Sequence, residues 1–505
     1  MSHESGTFYL PAAKLAGLAG DASSGLRPVL DWAEGSPIFV LRDCFEQSLR
    51  RSRRLLIEAG DQAVLLMPDG RVLRQRAAPD ARFLAGFTQG PVRAALSDLS
   101  PLRALLTVAS GKVQGGRLAL IDDEGKTRVR AELRLLEPVR GAAVVLVTPQ
   151  GLRGYDAARA ELVARLQALG GVPLSAGNLY RMIDPSSTDY IAKPVVPLGR
   201  EETAFDAATD LIASYIPVAR ANEPGVIEDL DTEFLHDYRI ALRKIRSVLS
   251  LFKDVYDPAQ TEALKARFAA LMAQTGRVRD LDVQILEHEA FAAMVPATLQ
   301  GGLEHMFALI RQTREAEHAR LANHLQTGRY DKEIRALAKL FAKRHRLIQG
   351  PNATRTAHDL AAMLIRKRYR GICRGAERID PETPDAEIHS LRIACKKLRY
   401  LLEFFAPVFA RAQMEAVLKP MKRLQDSLGL FNDCAVQQAT LQAFVAELGA
   451  VPHRMEIAQA AGALIAALDR RQQEERGHLA EAFARFTNDR MRRRFAALSQ
   501  DGKEP

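Results

Sequence analysis

The stretch His236-Asp-Tyr-Arg-Ile-Ala-Leu-Arg-Lys-Ile-Arg246 returns 153 residues later as His389-Ser-Leu-Arg-Ile-Ala-Cys-Lys-Lys-Leu-Arg399. On a helix that advances 100° per residue, the histidine and the basic residues three, seven and ten positions after it fall within a stripe about 80° wide and about 15 Å long. Leucine, isoleucine, valine and phenylalanine side chains form an apolar stripe on roughly the opposite side. Each copy therefore predicts a helix that packs through one face and presents basic side chains on another.

A charged stripe on a helix usually meets only solvent, and one copy alone would be interpreted in that way. Here the two copies place the same basic residue types at four matching offsets, although a face that meets only water is free to drift. The match favours a common ligand for both stripes. That ligand should be anionic and longer than a single phosphate.

The duplication extends beyond the motif. A helix predicted at 203–222 has a counterpart at 356–375, and Gly276-x-x-Arg279-Asp280 returns with the same offset as Gly429-x-x-Asn432-Asp433. This ungapped register indicates an internal repeat. We expect two units of about four helices, 201–350 and 351–500, each closed by a long helix (about 302–347 and 456–495) and stacked as a pseudo-symmetric pair.

Two aspartates follow the motif helices at equivalent positions, Asp280 and Asp433. They could be interpreted as catalytic carboxylates. The more economical interpretation is that each caps a helix or pairs with a basic residue, which would hold the spacing of the motif helices. We therefore predict no catalytic residue among them.

Composition sets the outer bounds. The chain has 505 residues and a formal net charge of +10, which indicates two or three domains and permits a polyanionic partner without identifying one. Residues 201–505 hold 45 Lys+Arg against 41 Asp+Glu, so an anion site there depends on the arrangement of charge. We expect a soluble protein without a membrane span or secretory signal, and the four cysteines, which lack metal-ligand spacing, predict reduced thiols in a cytoplasm.

Residues 1 to about 150 predict β-structure. Short apolar or alternating runs occur at 37–42, 54–59, 62–67 and 71–75, with Asp69-Gly70 as a hairpin turn, and at 117–121 and 127–136 around a second turn. In the last run Arg128, Arg130, Glu132 and Arg134 alternate with apolar residues. That charged face can belong to the solvent side of an antiparallel sheet, the interpretation we favour, or to a ligand tunnel.

Residues 184–200 contain three prolines among polar residues and predict a linker. The chain is thus divided into a β-rich domain at 1–183, a linker at 184–200 and a helical domain at 201–505. The predicted fold class is α+β, with an all-α duplication of two four-helix units after a β-rich domain.

The doubled His-x-x-Arg-Ile-Ala-x-(Arg/Lys)-Lys-(Ile/Leu)-Arg helix, each copy followed by Gly-x-x-(Arg/Asn)-Asp, resembles the CHAD family over about 201–495. The resemblance implies a two-unit helical domain that binds inorganic polyphosphate through a basic surface and associates with polyphosphate granules. Carried over position by position, the binding residues would be His236, Arg239, Arg243, Lys244, Arg246, His389, Arg392, Lys396, Lys397 and Arg399.

The N-terminal region more weakly resembles the CYTH, or triphosphate tunnel, fold. Enzymes of that family open with Glu-x-Glu-x-Lys, whereas Glu4-Ser-Gly-Thr-Phe-Tyr-Leu10 supplies neither the second acid nor the lysine. We therefore expect a diverged, non-catalytic relative.

The sequence thus predicts a cytoplasmic, non-enzymatic protein that binds inorganic polyphosphate, without cofactor or metal, at polyphosphate granules. A first alternative is a triphosphatase or polyphosphate-processing enzyme acting through the N-terminal domain. A second is nucleic-acid binding by the basic helices, although aromatic stacking platforms are not apparent beside the stripes. The runs 366–370 and 490–494 could extend the basic surface, but solvated faces are the simpler interpretation.

Overall fold

The computed structural model describes residues 6–20, 25–78, 81–176, 179–185, 189–380 and 382–498. The chain divides into two compact parts, with the boundary between Ala192 and Lys193. Glu4, the first residue of the stretch that departs from the Glu-x-Glu-x-Lys pattern, lies outside the described residues.

The first part is a β-sheet with short helices. Its strands are β1 (Phe8–Pro11), β2 (Arg27–Trp32), β3 (Ile38–Asp43), β4 (Leu55–Ala59), β5 (Gln62–Leu66), β6 (Val72–Arg76), β7 (Leu106–Ile121), β8 (Thr127–Pro138), β9 (Val144–Gln150) and β10 (Val172–Pro173). Its helices are α1 (Leu15–Leu18), α2 (Ser48–Arg51), α3 (Pro91–Ala95), α4 (Asp156–Ala168) and α5 (Leu179–Ile183). The predicted β-rich domain is confirmed.

The strands form one antiparallel sheet in the order β10-β1-β9-β8-β7-β3-β4-β5-β6, and β2 pairs with the far half of β7. The sheet is strongly curved, since Arg74 of β6 forms an ion pair with Glu132 of β8, five strands away in the order. Apolar residues of the inner face, such as Phe39 and Leu146, form a core with α5.

The charged face of β8 is not simply a solvent face. Arg130 is exposed, but Arg134 is buried and its guanidinium pairs with Glu132. Burial lowers the pKa of Arg134, and Glu132 acts in the opposite direction. The favoured solvent-side interpretation therefore fails for Arg134, because the curvature encloses that end of the strand.

The second part is helical throughout. Its first copy holds α6 (Ala204–Ile227), α7 (Thr232–Leu251), α8 (Pro258–Ala273), α9 (Gly276–Leu286), α10 (His288–Met294), α11 (Gln300–Leu325) and α12 (Gly328–Ala342). Its second copy holds α13 (Ala357–Ala376), α14 (Asp385–Phe404), α15 (Arg411–Glu447), α16 (Arg454–Thr487) and α17 (Asp489–Ala497). Copy one below means 201–350 and copy two means 351–500.

The two copies pair about a pseudo-two-fold axis. Thr203 forms an antiparallel bridge with Thr356, its own counterpart at the 153-residue offset. The flanking bonds are reciprocal, since Ala204 N donates to Arg355 O and Ala357 N donates to Glu202 O, each at 2.7 Å. A second equivalent pair, Phe252 and Phe405, stacks with ring centroids 4.5 Å apart and planes 19° apart. Reciprocal contacts between equivalent positions of the two copies require a two-fold relation. The predicted pseudo-symmetric pair is therefore confirmed.

The predicted long closing helices are each broken in two. In copy one the break falls at Thr327, whose Oγ1 accepts a hydrogen bond from Tyr330 N and caps α12. In copy two Asn488 caps α17 in the same way by accepting from Met491 N. Conversely, α15 runs unbroken where copy one changes helix at Thr275. These breaks follow N-cap chemistry that apolar periodicity does not register.

All four cysteines are buried and unpaired. Among the described residues, no helix combines the length and the apolar character needed to cross a lipid bilayer.

Candidate functional site

The motif helices owe their orientation to caps and apolar stripes. Asp231 Oδ1 accepts hydrogen bonds from the backbone N–H groups of Glu233 and Phe234, which fixes the start of α7. Leu242 and Ile245 of α7 are fully buried, as are their counterparts Cys395 and Leu398 of α14. In copy two the helix begins at Asp385, directly after Pro384. Because the apolar stripes point inward, the basic residues remain at the surface or half-buried.

In copy one the stripe is anchored by neutral groups. Arg239 Nη1 donates to Thr275 Oγ1 at 2.6 Å and to Met272 O at 3.4 Å. Burial lowers the pKa of Arg239, and the neighbouring Arg243 lowers it further. Arg246 is exposed and its Nη1 lies 3.2 Å from the thioether sulfur of Met272. The hydrogen bonds that position Arg239 and Arg246 therefore come from uncharged groups.

Arg279 joins this stripe, although no binding role was predicted for it. It lies at the start of α9 and contributes to lowering the pKa of Arg239. Within the described part of the chain, Arg239 Nε and Arg279 Nη1 are buried donors without an acceptor. Buried unsatisfied donors are rare in proteins, so a water molecule or an anion is expected at this place. The sequence signal was its position directly before Asp280.

In copy two the equivalent stripe is partly neutralised. His389 Nδ1 donates to Asn432 Oδ1 at 2.7 Å, which fixes the orientation of the imidazole ring. Arg392 Nη2 lies 3.6 Å from Asp433 Oδ1, and Arg399 Nε lies 3.5 Å from Glu403 Oε1. The Arg392–Asp433 pair is the kind of contact predicted for the aspartates. Asp280 acts similarly on Arg239 in copy one, since it opposes the lowering of that pKa.

The two stripes meet at Arg243 and Lys396, which are equivalent positions of the two copies. Burial lowers the pKa of Lys396 to about 8, and the next largest cause is the charge of Arg243 from the other copy. Arg392 and Arg399 act in the same direction, whereas Asp433 opposes them. A lysine whose pKa is lowered by three neighbouring cations lies in a concentrated positive field. The field is shared between the copies.

Three predicted residues lie outside this meeting point. The Lys244 ammonium pairs with Glu403 of α14 and lies 4.5 Å from the ring centroid of Tyr400, and burial lowers its pKa. Lys244 thus holds α7 against α14, and its assignment to ligand binding stays a prediction that these contacts weigh against. Lys397 is exposed, and His236 is half-buried. Their roles also remain predictions.

One group with metal-ligand residue types lies apart from the stripes. The rings of His305 and His453 are parallel, with centroids 3.7 Å apart and planes at 4°, and His453 Nδ1 lies 3.2 Å from Glu456 Oε2. A metal ion bound by an imidazole lies near the plane of that ring, and two rings stacked face to face at this distance do not both direct a nitrogen lone pair at one ion. We interpret the group as a stacked pair that is held by a hydrogen bond.

The helical part of the chain is similar to known proteins. The family model described as "CHAD domain" matches residues 210–442. A solved CHAD domain from the plant Ricinus communis has 26% sequence identity and a TM-score of 0.49, with 58% of this chain and 96% of that chain covered. PptA from Streptomyces chartreusis has 14% identity and a TM-score of 0.43, with coverages of 56% and 99%. No curated protein matches the chain.

The matched range begins within α6 and ends within α15, so it contains both motif helices and the segment from Gly276 to Asp280 in full. The helical part of this chain therefore contains a CHAD domain.

Proposed function

We propose that this protein binds inorganic polyphosphate on the surface where the two basic stripes meet. The observation that carries the proposal is the meeting of Arg243 and Lys396 across the pseudo-two-fold axis, with Arg239, Arg392 and Arg399 nearby. A chain of phosphates can follow both stripes and neutralise them together. Arginine forks and lysine point charges match phosphate oxygens, and released counterions add to the driving force.

Nucleic acid fits this surface less well. Proteins that bind single strands stack bases on exposed aromatic rings as well as neutralising phosphates. The aromatic residue beside the stripe, Tyr400, is 8% exposed, and its ring lies beneath Lys244 and Arg399. Phe252 and Phe405 are buried in their mutual stack. The stripe residues that the structure describes thus offer charge without a stacking platform.

We also propose that the protein acts by binding and without catalysis. Within the curved sheet, Glu58 pairs with Arg42 at 2.9 Å, and Glu132 pairs with Arg74 and Arg134. Carboxylates held by arginine are poor candidates for sharing a divalent metal. Purified protein with Mg²⁺ or Mn²⁺ should release no phosphate from tripolyphosphate above background. Turnover that disappears after substitution of Glu58 or Glu132 would establish the enzymatic alternative instead.

In cells, this binding activity would lead the protein to associate with polyphosphate granules in the cytoplasm. A fluorescent fusion should colocalise with granules in cells that accumulate polyphosphate and become diffuse when the chain carries Arg243→Glu and Lys396→Glu. Unchanged localisation of that variant would show that granule association does not depend on the stripes.

The central test is a competition titration of long-chain polyphosphate against single-stranded DNA at two salt concentrations. Polyphosphate should win, and its affinity should fall steeply with salt because counterion release drives the association. Arg243→Glu should weaken binding by more than about tenfold, beyond the ~1 kcal/mol of an exposed ion pair. Arg335→Glu is the matched control, since Arg335 is 73% exposed and already paired with Asp331. Equal or tighter binding of DNA would favour nucleic acid.

A further inference from the structure

The two basic runs at 366–370 and 490–494 contribute to one groove that the motif does not include. A groove of ≈ 990 Å³ lies between α13 and α17 in copy two. We call it the α13–α17 groove, and its cationic lining residues are Arg355, Arg366, Lys367, Arg370, Arg374 and Arg492. Two acidic residues, Asp359 and Glu377, also line it. The lining is therefore strongly positive, in contrast to the nearly balanced composition of the helical domain.

Five of these six cations lack an acidic partner. In the described ranges no carboxylate lies within ion-pair distance of the lining cations between Arg355 and Arg374, whereas Arg492 Nη2 lies 3.2 Å from Glu377 Oε1. Arg366, Arg370 and Arg374 lie on successive turns of one face, spanning about 12 Å at 1.5 Å per residue. Like charges four residues apart destabilise a helix by about 0.2–0.5 kcal/mol per pair. The arrangement is thus unfavourable unless an anion lies along it.

The wall opposite these cations is held in place. Tyr369 of α13 stacks on Phe495 of α17 with centroids 3.8 Å apart and planes at 16°, and Tyr369 Oη donates to Phe486 O at 3.1 Å. Both rings are almost fully buried, at 4% and 2% exposure. The part of the floor formed by the Tyr369–Phe495 stack is therefore preformed and sealed, whereas Met363, which also lines the groove, is 40% exposed. A helix that docks through an apolar face would contact Met363 but would also cover six cations, so an anionic ligand fits better.

Copy one provides an internal comparison for this groove. At the 153-residue offset, Arg366, Lys367, Arg370 and Arg374 correspond to Ala213, Ser214, Pro217 and Ala221, and Arg355 corresponds to Glu202. On the same helix of copy one, Asp206 and Asp210 form ion pairs with Arg344. Arg220, which corresponds to the groove residue Cys373, pairs with Glu223 and Asp331, so the charges on the equivalent face are already compensated. Solvation alone gives no reason for the same face to carry five cations in one copy.

We propose that the α13–α17 groove is a second site for an extended phosphate chain, built into copy two alone. The ligand class rests on the proposed function, but the groove residues are separate from the stripes on α7 and α14. Its three-turn row of arginines would hold successive phosphates by forked hydrogen bonds, and Lys367 and Arg492 would add charge at its sides. A long chain can then engage the protein at two places, which raises its apparent affinity over that of a short chain.

The test exchanges the lining of copy two for that of copy one. The groove variant carries Arg366→Ala, Lys367→Ser and Arg374→Ala, all residues that copy one holds at the same helical positions. The matched control removes three exposed, acid-paired cations, with Arg320→Ala, Arg335→Ala and Arg411→Ala, at 75%, 73% and 92% exposure. The stripe variant carries Arg243→Glu and Lys396→Glu. All are made in the full chain, with helix content checked by circular dichroism.

The measurements are calorimetric titration with tripolyphosphate and a salt series with long-chain polyphosphate. Wild type should bind tripolyphosphate at two sites, and the groove and stripe variants at one each. The slope of log affinity against log salt should fall by about 2 in the groove variant, at ~0.7 per cation, and stay near wild type in the control. Should the groove variant lose helix content, Arg366→Gln with Arg370→Gln is titrated instead.

The outcomes separate this proposal from the proposed function. A groove variant that binds like the matched control overturns the second site, whatever the stripe variant does. A groove variant that loses a site while the stripe variant binds normally supports the groove and overturns the stripe. Polyglutamate that displaces tripolyphosphate from the stripe variant at equal charge concentration would overturn the phosphate chain as ligand and indicate an acidic peptide.

Discussion

The two copies share a motif but use their charges differently. Copy one anchors Arg239 on Thr275, and Arg279 adds a further cation beside it. Copy two substitutes Asn432 for Arg279 and Lys396 for Arg243, and pairs Arg392 with Asp433. Copy two also carries the α13–α17 groove, and the residues of copy one that correspond to its cations between 355 and 374 are neutral or acidic. The comparison teaches that a duplicated fold can keep one basic stripe in common while each copy acquires its own electrostatic properties.

The largest expected effect concerns what the copies share. Phe405→Ala should lower the free energy of unfolding by about 3–5 kcal/mol, because it removes a fully buried ring from the axis. Phe252→Ala should cost a similar amount, and the double variant should lose less than the sum because the rings contact each other. Chemical denaturation measures all three.

The control pairs Phe252→Ala with Phe483→Ala, a buried phenylalanine elsewhere in the helical domain, and these losses should add. Additivity of Phe252→Ala with Phe405→Ala as well would mean that the stack does not couple the copies.

The next effect tests whether a single ligand crosses both stripes. Arg243→Glu and Lys396→Glu should each lower the affinity for long-chain polyphosphate more than about tenfold, since each turns attraction into repulsion in a shared field. With a short chain that contacts one stripe, the second substitution should matter less once the first is present. Titrations of both single variants and the double, with a short and a long chain, measure this. If both single variants bind with wild-type affinity, the stripes are only solvated faces.

A smaller effect should distinguish the copies by pH. In the free protein the pKa of Lys396 is lowered from 10.5 to about 8, so above that pH binding must take up a proton. Affinity for polyphosphate should fall by up to about tenfold per pH unit above pH 8, the limit for one proton. Lys396→Arg should remove the decline because arginine stays charged. Lys397→Arg is the control and should keep it.

The same group affects the ligand-free protein in the opposite sense. Because its folded pKa lies below the unfolded value, the unfolded chain binds more protons between about pH 8 and 10.5. The contribution of Lys396 to the free energy of unfolding should therefore rise with pH across that window. A difference between wild type and Lys396→Arg that stays constant with pH would contradict the assignment.

The smallest expected effect concerns the position where the copies differ in charge. Arg279→Asn gives copy one the residue of copy two and should weaken polyphosphate binding about three- to fivefold, or 0.6–1 kcal/mol. Asn432→Ala removes the acceptor of His389 without changing charge and should alter affinity less than about twofold. If the two substitutions have equal effects, Arg279 acts through packing alone.

Much of this fold could be predicted from the sequence, because the repeat keeps its register and its apolar stripes. The offset identifies Phe252 and Phe405 as equivalent residues. It does not say that they touch, since equivalent positions are also separated widely in translational repeats. Likewise, the motif lists Lys244 among the basic residues, but only packing reveals that Glu403 neutralises it. Periodicity shows on which face of a helix a cation lies, but it does not show which group that cation pairs with.

The groove marks another limit of sequence reasoning. Its two basic runs are visible in the chain, yet they are more than 100 residues apart and interpreted separately as solvated faces. They meet because α16 ends at Thr487 and the capped α17 folds back so that Phe495 reaches Tyr369. The break at Asn488 was the missing information. An Asn before an acidic first turn is an N-cap signal, so a search for caps within long amphipathic stretches could have found it.

The reciprocal backbone bonds between Ala204 and Arg355 and between Ala357 and Glu202 have a consequence for the history of the chain. A self-complementary contact in which each position meets its own equivalent is the isologous interface of a homodimer. The helical domain is thus organised as a dimer whose protomers have been fused head to tail. Fusion frees each half to diverge while the interface stays intact, which two identical chains encoded by one gene cannot do. A segment comprising copy two alone retains half of that interface and is expected to self-associate through Thr356 and Phe405.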